Sequence, residues 1–439
     1  MRLDITIGIR RAIAAIALTS LTMTGVAACG GDDDKGTAAP PAGAGAGGVD
    51  DGSQLTLWTR APLELQAKAL VEAYNASHKN QVALTIVPND DYVSKVGAAA
   101  GSGDLPDLFA ADIVYVPNWA KSGLFADLTD SIAQLPYADK INKAHLAAGT
   151  YENKKYVLPF VLDLSVMFWN KDLYKDAGLD PEKGPATLAE FKEQALAVQK
   201  LNKPGVNGTY FGGNCGGCVE FTLWPSVWAA GGEVLDADGR HAKLDSAEMA
   251  EVFALYRSLY EDGVAAPASK DEAGPTWLGA LQGGKVGIAP GPSVWLGAME
   301  AKGVKVGVAP ITGITGGDST FIGGDTIGIG ATSAKTAQAW DFLAWTMSDE
   351  AQVEVVAKNK GVPTRTDLAS NKYSSLDPRL VTINSLVSKG RTPYAQNFNA
   401  SFNDAQSPWL KTVRGALFGD ADKALSEGNS AITKSLQQG

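Results

Sequence analysis

The residue types that support catalysis or metal binding are unevenly represented in this chain of 439 residues. It has 48 acidic side chains but only three histidines, His78, His145 and His241, which are spread along the sequence. This distribution argues against a His-rich metal site and against a catalytic triad based on histidine. Any chemistry would therefore depend on carboxylates or on the three cysteines.

One cysteine, Cys29, closes an N-terminal segment with the composition of a targeting signal. Arg10 and Arg11 precede a charge-free stretch, residues 12–28, that is short for a bilayer-spanning helix and diluted by Ser and Thr. It ends in the sequence VAAC at 26–29, which resembles a bacterial lipoprotein box. The resemblance implies a lipid on Cys29 and cleavage before it. An ordinary signal peptide, cleaved near the same small residues, is the alternative.

The segment that follows, residues 29–53, is rich in Gly, Ala and Asp, and its composition predicts a flexible tether. Removal of residues 1–28 takes away three of the 38 basic and one of the 48 acidic side chains, which leaves a net charge of −12. Such an acidic globule has no general attraction for nucleic acid or anionic lipid. We therefore expect no nucleic acid partner, and membrane contact only through the lipid anchor.

The other two cysteines form the motif Asn214-Cys215-Gly216-Gly217-Cys218. An even pair of cysteines in an exported protein predicts a disulfide. The alternative is a thioredoxin-like redox site, which requires the first cysteine at a helix N-terminus inside a βαβ unit. Because glycines surround the pair, the sequence predicts irregular backbone here and favours a structural disulfide.

The body of the chain alternates short apolar strands with helices. Strands are predicted at 55–58, 82–87, 107–110, 161–169, 286–289 and 306–309, and helices at 63–74, 92–100, 187–201, 246–260, 334–347, 350–358 and 420–436. A capping box, Thr187-x-x-Glu190, opens one of these helices. Strands that alternate with helices of this length are typical of βαβ units. The sequence therefore predicts an α/β protein with two lobes, each a mostly parallel sheet flanked by helices.

Several short motifs follow one another over nearly the whole body, from about residue 54 to 437. They are PDLF at 106–109, GLFADL at 123–128, KYVLP at 155–159, WNKDL at 169–173, TLAEF at 187–191, GKVGI at 284–288 and PTR at 363–365. Each motif alone is weak. Their order resembles the extracytoplasmic sugar-binding proteins of bacterial ABC importers, the family that includes maltose-binding protein.

The resemblance implies two lobes that are discontinuous in sequence, with a cleft between them. Residues 54–160 and about 311–366 would form the first lobe, and residues 161–310 and about 367–439 the second. A sugar that contacts both lobes favours their closure, and the closed form is what the permease subunits of the transporter would recognise. The resemblance implies a monomeric carrier with no catalytic residue, no metal and no cofactor.

The matching positions also supply candidates for the cleft. Carboxylates and Arg bind paired hydroxyls, and aromatic rings pack on the C–H faces of pyranoses. The candidates are Arg60, Asp112, Asp163, Gly324 and Asp325, with Glu64 as a lesser one, from the first lobe, and Phe221, Trp224, Trp295 and Trp409 from the second. Core packing is the alternative for each tryptophan, and a helix cap or turn for Asp112 and Asp163. Several aromatics favour a di- or oligosaccharide.

Two other functions remain open at this point. A glycoside hydrolase would also use carboxylates and aromatics, but it needs an acid and a nucleophile or base, one of them with a raised pKa. A glycerol phosphate ester is the other possible solute, because Arg60 or Arg365 could contact a phosphate.

Overall fold

A computed structural model describes residues 48–438, so the predicted signal segment, Cys29 and most of the predicted tether lie outside the described residues. The strands are β1 Gln54–Arg60, β2 Gln81–Val87, β3 Leu108–Asp112, β4 Thr150–Tyr151, β5 Lys154–Lys155, β6 Leu158–Asn170, β7 Ile288–Pro292, β8 Val306–Ala309, β9 Ile311–Gly313, β10 Gly316–Ser319 and β11 Ile322–Ile329. The α-helices are α1 Glu64–Ser77, α2 Asn89–Ser102, α3 Val116–Lys121, α4 Thr129–Ala133, α5 Lys143–Ala148, α6 Lys171–Asp176, α7 Leu188–Gln199, α8 Gly216–Ala229, α9 Ala247–Glu261, α10 Trp277–Gln282, α11 Leu296–Glu300, α12 Thr336–Thr346, α13 Pro378–Ser385, α14 Pro408–Phe418 and α15 Ala421–Leu436. Short 3-10 turns include Ala61–Leu63 and Ser293–Trp295, and π-helical turns occur at Glu350–Val356 and Asn399–Asn403.

The main sheet has the strand order β2-β1-β3-β11-β6-β7, and β8 also pairs with β6. Strand β1 lies parallel to β2 and β3, as expected for strands connected through helices. The pairs that involve β11 or β6 are antiparallel, so the sheet is mixed. The predicted α/β class is confirmed, with a mixed sheet where a mostly parallel one was expected: β11 lies antiparallel between β3 and β6, and β7 and β8 lie antiparallel to β6.

Strand β6 connects the two halves of this sheet. Its first half pairs with β11, ending at Leu164, and its second half, from Ser165, pairs with β7 and β8. Every residue of β6 except Asp163 is buried, which explains its nearly continuous apolar sequence. The change of partner lies between Leu164 and Ser165. We call the part with β1–β3 and β11 the first lobe, and the part with β7, β8, α8 and α9 the second lobe.

Apolar cores lie on both sides of this connection. In the first lobe, the buried face of α1, with Leu70 and Tyr74, packs in a cluster with Phe160 and Trp340. In the second lobe, a larger cluster joins helices α7, α8, α9, α14 and α15. Within the described part of the chain, no helix is both long enough and apolar enough to cross a bilayer.

The predicted helix starts agree with the structure where a capping side chain marks them. The hydroxyl of Thr187 accepts a hydrogen bond from the Glu190 amide at 3.0 Å, and Ser246 and Asp420 cap α9 and α15 in the same way. The glycine-rich motif behaves differently from its prediction, because Gly216 begins helix α8 instead of irregular backbone. A side chain at Gly216 would overlap the carbonyl oxygen of Phe402, so this glycine permits close packing.

The last residues of the predicted tether are bound to the first lobe. The side-chain oxygen of Asn80 accepts hydrogen bonds from the amides of Asp51, Gly52 and Ser53 at 3.0–3.2 Å. The carboxylate of Asp50 accepts one from the Asn80 amide at 2.6 Å. Ordered structure therefore begins before Gln54, the predicted first residue of the body.

Candidate functional site

The centre of the candidate site is an ion-pair cluster at the carboxyl ends of β1 and β3. Arg60 ends β1, Asp112 ends β3, and Asp325 of β11 lies opposite Asp112 in the antiparallel register. The guanidinium of Arg60 donates from Nε and Nη2 to Oδ1 of Asp325 at 2.8 and 2.6 Å, and its Nη2 lies 2.9 Å from Asp112 Oδ2. The carboxyl ends of parallel strands are where α/β proteins commonly bind ligands.

The electrostatics of this cluster follow from burial. Asp325 is fully buried, and burial raises its pKa above the usual range although Arg60 stabilises the charged form. Tyr115, on the turn after β3, stacks on Trp119 with ring centroids 5.5 Å apart, and burial raises its pKa as well. The carboxylates of Asp325 and Asp112 thus already neutralise Arg60. The cluster presents their polar oxygens at the edge of the sheet.

Asp163 extends this polar edge along β6. Its Oδ1 accepts hydrogen bonds from the Ser293 hydroxyl at 3.1 Å and from the Val294 amide at 3.3 Å. Burial raises the pKa of Asp163 to about 7, more than these donors and Arg60 lower it. Ser293 begins the turn that carries Trp295, so Asp163 binds the segment of the second lobe that positions this aromatic side chain.

Two glycines of β11 permit close packing here, and one of them, Gly323, lies at a contact between the lobes. Gly324 has a positive φ of +100°, and a side chain there would overlap the carbonyl oxygen of Val161. A Cβ atom at Gly323 would lie 3.0 Å from the ring of Phe221, so the ring rests against bare backbone. His145 donates from Nε2 to the Gly323 carbonyl at 3.0 Å and fixes this segment. We call the region bounded by Arg60, Asp163, Gly324, Phe221 and Trp295 the cleft site.

The aromatic candidates occupy two different environments. Phe221 and Trp295 are partly exposed, and Trp295 meets Trp277 edge-on with ring centroids 5.0 Å apart. Trp224 and Trp409 are fully buried in the core of the second lobe, where their ring centroids lie 5.5 Å apart. The alternative of core packing therefore describes Trp224 and Trp409, because neither ring has a free face in this structure.

Glu64 and Arg365 lie apart from the cleft site and have their own partners. Glu64 forms an ion pair with Lys68 one turn along α1, on a half-exposed surface. Arg365 lies 2.6 Å from both Asp349 and Asp367, and its guanidinium stacks over the Tyr137 ring. Neither side chain contacts Arg60, Asp112 or Asp325.

Sequence reasoning missed Glu220, on the turn of α8 next to Phe221. It is 2% exposed, and its Oε2 has no hydrogen-bond partner. Burial raises its pKa well above the usual range, and the negative charge of Asp112 adds to this. The one available signal is an acidic residue directly before the apolar run of α8, which is a weak one.

The two cysteines of the glycine-rich motif lie at the start of the same helix. Cys215 is the N-cap residue of α8, and its Sγ accepts a hydrogen bond from the Cys218 amide at 3.1 Å. The two Sγ atoms lie within bonding distance. The motif therefore determines where α8 starts, and with it the position of Glu220 and Phe221.

Comparison with known proteins identifies the family to which this chain belongs. Residues 69–382 match the family described as bacterial extracellular solute-binding protein. The diacetylchitobiose binding protein DasA of Streptomyces coelicolor is 28% identical over 386 residues, 82% of this chain and 84% of that protein.

Solved structures of similar proteins share the two-lobe fold. The cyclic alpha-maltosyl-1,6-maltose binding protein from Arthrobacter globiformis has a TM-score of 0.72 and 26% identity, and the match covers 88% of this chain and 99% of that one. An ABC transporter solute binding protein from Thermotoga lettingae, bound with alpha-D-tagatose, has a TM-score of 0.78 and 21% identity over 88% of this chain and all of that one. Because the family match spans well over half of its length, this chain belongs to the bacterial extracellular solute-binding proteins.

Proposed function

We propose that the protein is the carbohydrate-binding component of an ABC importer and captures a di- or oligosaccharide in the cleft site. The observation that carries this proposal is the contact between the lobes: Asp163, which interacts with Arg60, binds the turn that carries Trp295, and the ring of Phe221 lies against Gly323 of β11. The names of DasA and of the Arthrobacter protein, which refer to oligosaccharides, support the substrate class.

The chemistry of the cleft site fits neutral sugars. Carboxylate oxygens accept hydrogen bonds from vicinal hydroxyls, and the Arg60 fork is held rigid by two carboxylates, so little ordering is needed on binding. The rings of Phe221 and Trp295 offer apolar faces to the C–H groups of a pyranose. A sugar in contact with both lobes stabilises the closed form, which the permease subunits would recognise.

The charges at this site favour an anionic solute less than a neutral sugar. Arg60 is already paired with Asp325 and Asp112, and Arg365 with Asp349 and Asp367. A phosphate ester would have to displace these carboxylates or approach them without a free cation. We therefore set the glycerol phosphate alternative below a neutral sugar.

The side chains of the cleft site also support hydrolysis of a sugar less well than its binding. A catalytic acid must hold a proton and present it to the glycosidic oxygen. With its pKa raised to about 7, Asp163 could hold such a proton, but its Oδ1 is already engaged by the Ser293 hydroxyl and the Val294 amide. Members of this family and the matched structures are described as binding proteins. We accordingly propose capture without catalysis.

A thermal-shift screen tests this function. A ligand that binds only the folded state stabilises it by about 2.7 kcal/mol when present at 100 times its Kd. We expect the melting temperature to rise with a di- or oligosaccharide, to stay unchanged with glycerol phosphate, and no monosaccharide to be released. A rise with glycerol phosphate alone, or cleavage of the sugar, would overturn the proposal.

The placement of the carrier at the cell surface completes the proposal. A lipid on Cys29 and the Gly- and Asp-rich residues 30–47 would hold the protein at the extracytoplasmic face of the membrane as a tethered monomer. A disulfide between Cys215 and Cys218 would fix the start of α8 there, in keeping with the oxidising environment of an exported protein.

A further inference from the structure

The cleft site contains more carboxylates than its cation can neutralise. Asp112, Asp163 and Asp325 act electrostatically on Arg60, and Glu220 acts on Asp112. Arg60 pairs with Asp325 and Asp112. Asp163 has two hydrogen-bond donors instead of a cation, and Glu220 has neither a cation nor a donor for Oε2.

Among these carboxylates, Glu220 is the one with neither a cation nor a hydrogen-bond donor for its Oε2. It lies on α8 beside Phe221, and the ionisable groups that interact with it, Asp112 and Tyr115, come from the first lobe. A buried acceptor without a donor costs free energy, and a second negative charge nearby increases the cost of ionisation. Burial and the charge of Asp112 therefore make ionisation of Glu220 unfavourable.

A metal ion does not account for this arrangement. Among residues 48–438, no three Asp, Glu, His or Cys side chains lie close enough to hold one. The partner that fits a buried Glu opposite an Asp is a compact organic cation with several N–H donors. A protonated amine fits this description, because it carries a positive charge and three N–H donors on one nitrogen.

We propose that the preferred solute is a sugar with a free, protonated amino group, and that this ammonium binds between Glu220 and Asp112. The inference rests on the proposed function and names its substrate class more closely. On binding, the carboxylic acid of Glu220 releases its proton to the solvent and the carboxylate pairs with the ammonium. An acetylated amino sugar has no charge to offer and gains nothing from Glu220.

Three β-1,4-linked disaccharides test the proposal by calorimetry: the dimer of glucosamine, its N,N′-diacetyl form, and cellobiose. We expect the free amine to bind at least about tenfold more tightly than either neutral sugar, the gain of a charge-assisted contact. The variant Glu220→Gln should reduce this ratio of affinities to about one. The control Glu427→Gln removes an exposed glutamate of α15 and should keep the ratio of the unmodified protein.

Proton release gives a measurement that needs no variant. Binding of the amine at a pH where it is fully protonated in solution, measured in buffers of different ionisation enthalpy, should show release of about one proton per site, whereas cellobiose should release none. Equal affinities for the three sugars, or no proton release with the amine, would overturn the inference and leave carbohydrate capture standing. Failure of every carbohydrate to bind would instead remove the proposed function itself.

Discussion

Arg60 and Asp325 lie 265 residues apart in sequence, yet the guanidinium of one contacts the fully buried carboxylate of the other through two nitrogens. The pair joins β1, the first strand of the described residues, to β11, which is the last of them in sequence. Asp325 has no exposure through which water could replace Arg60. The pair therefore holds the centre of the cleft site only as long as both members are present.

Loss of Arg60 should be costly for stability. The variant Arg60→Met leaves Asp325 buried without its cation, and we expect it to lower the free energy of unfolding by about 3–5 kcal/mol. The double variant Arg60→Met/Asp325→Leu should recover most of this loss, because no uncompensated charge remains. Urea unfolding of both measures the effect.

An exposed ion pair provides the control for this cycle. Glu64→Gln breaks the pair with Lys68 on the surface of α1, and it should cost less than about 1 kcal/mol. If Arg60→Met destabilised the protein no more than Glu64→Gln, the buried Arg60–Asp325 pair would contribute no more to stability than an exposed ion pair.

The lipid anchor can be tested at one residue. Cys29→Ala removes the thiol that would carry the lipid, so we expect the variant to accumulate as unprocessed precursor or as released soluble protein. Partitioning into detergent and membrane fractions measures this. Unchanged membrane retention of the variant would show that Cys29 is not the site of attachment.

The cysteine pair should be oxidised in exported protein. Mass spectrometry without reductant should find Cys215 and Cys218 blocked to alkylation. Because the ring is short, its loss in Cys215→Ser/Cys218→Ser should cost about 2 kcal/mol at most. Replacement by Cys215→Ala/Cys218→Ser should cost about 1 kcal/mol more, since Ser can cap α8 and Ala cannot. Alkylatable thiols in exported protein would contradict the pairing.

The elements that the sequence predicted well are those whose signal is local. Helix α1 shows its buried face at helical spacing, and α7 and α9 carry side-chain caps. Strand β11 and helix α8 were missed, because their glycines are typical of loops. In the structure these glycines serve close packing instead, since a side chain at Gly328 would overlap the ring of Phe125.

The cleft site was predicted only in part for a related reason. The type of a residue and its place in a motif indicated Arg60, Asp112, Asp163 and Asp325, which the fold brings together. The burial of a tryptophan depends on contacts that are distant in sequence, so Trp409 could not be told from Trp295. Glu220 has no motif at all, and its significance arises only from its neighbours.

The raised pKa of Asp163 leads to a pH dependence of stability. Its pKa is about 7 in the folded protein against a usual value of 3.8, so the folded state holds the proton more tightly. The stability that this carboxyl contributes is complete below about pH 4 and is lost as the pH rises through about 7. Asp163→Asn does not titrate and keeps an oxygen for Ser293.

We therefore expect the melting temperature of Asp163→Asn, relative to that of the unmodified protein, to be higher at pH 8 than at pH 4 in the absence of ligand. The exposed Asp238→Asn serves as the control and should show no such change between the two pH values. A constant difference for Asp163→Asn would mean that this carboxyl does not titrate near pH 7.

The decisive comparison for the cleft site is between two tryptophans of the second lobe. Trp295 is partly exposed beside Asp163, and Trp295→Ala removes an apolar face on which a sugar ring can stack. We expect affinity to fall by about 1–3 kcal/mol, or about ten- to hundredfold in Kd, with a small loss of stability. Trp409 is fully buried, and Trp409→Ala should cost about 3–5 kcal/mol of stability through the cavity it leaves.

The two variants separate effects on binding from effects on folding, because Trp295→Ala should mainly weaken binding and Trp409→Ala should mainly destabilise the fold. Calorimetry well below the melting temperature should find near-normal affinity in whatever fraction of Trp409→Ala is folded, and weak affinity in fully folded Trp295→Ala. The carboxylate next to it gives an independent check, since Asp163→Ala removes an acceptor and should weaken binding by about 1.5–3 kcal/mol. If Trp295→Ala and Asp163→Ala both bound sugar with unchanged affinity, the solute would bind elsewhere and the cleft site would be wrongly assigned.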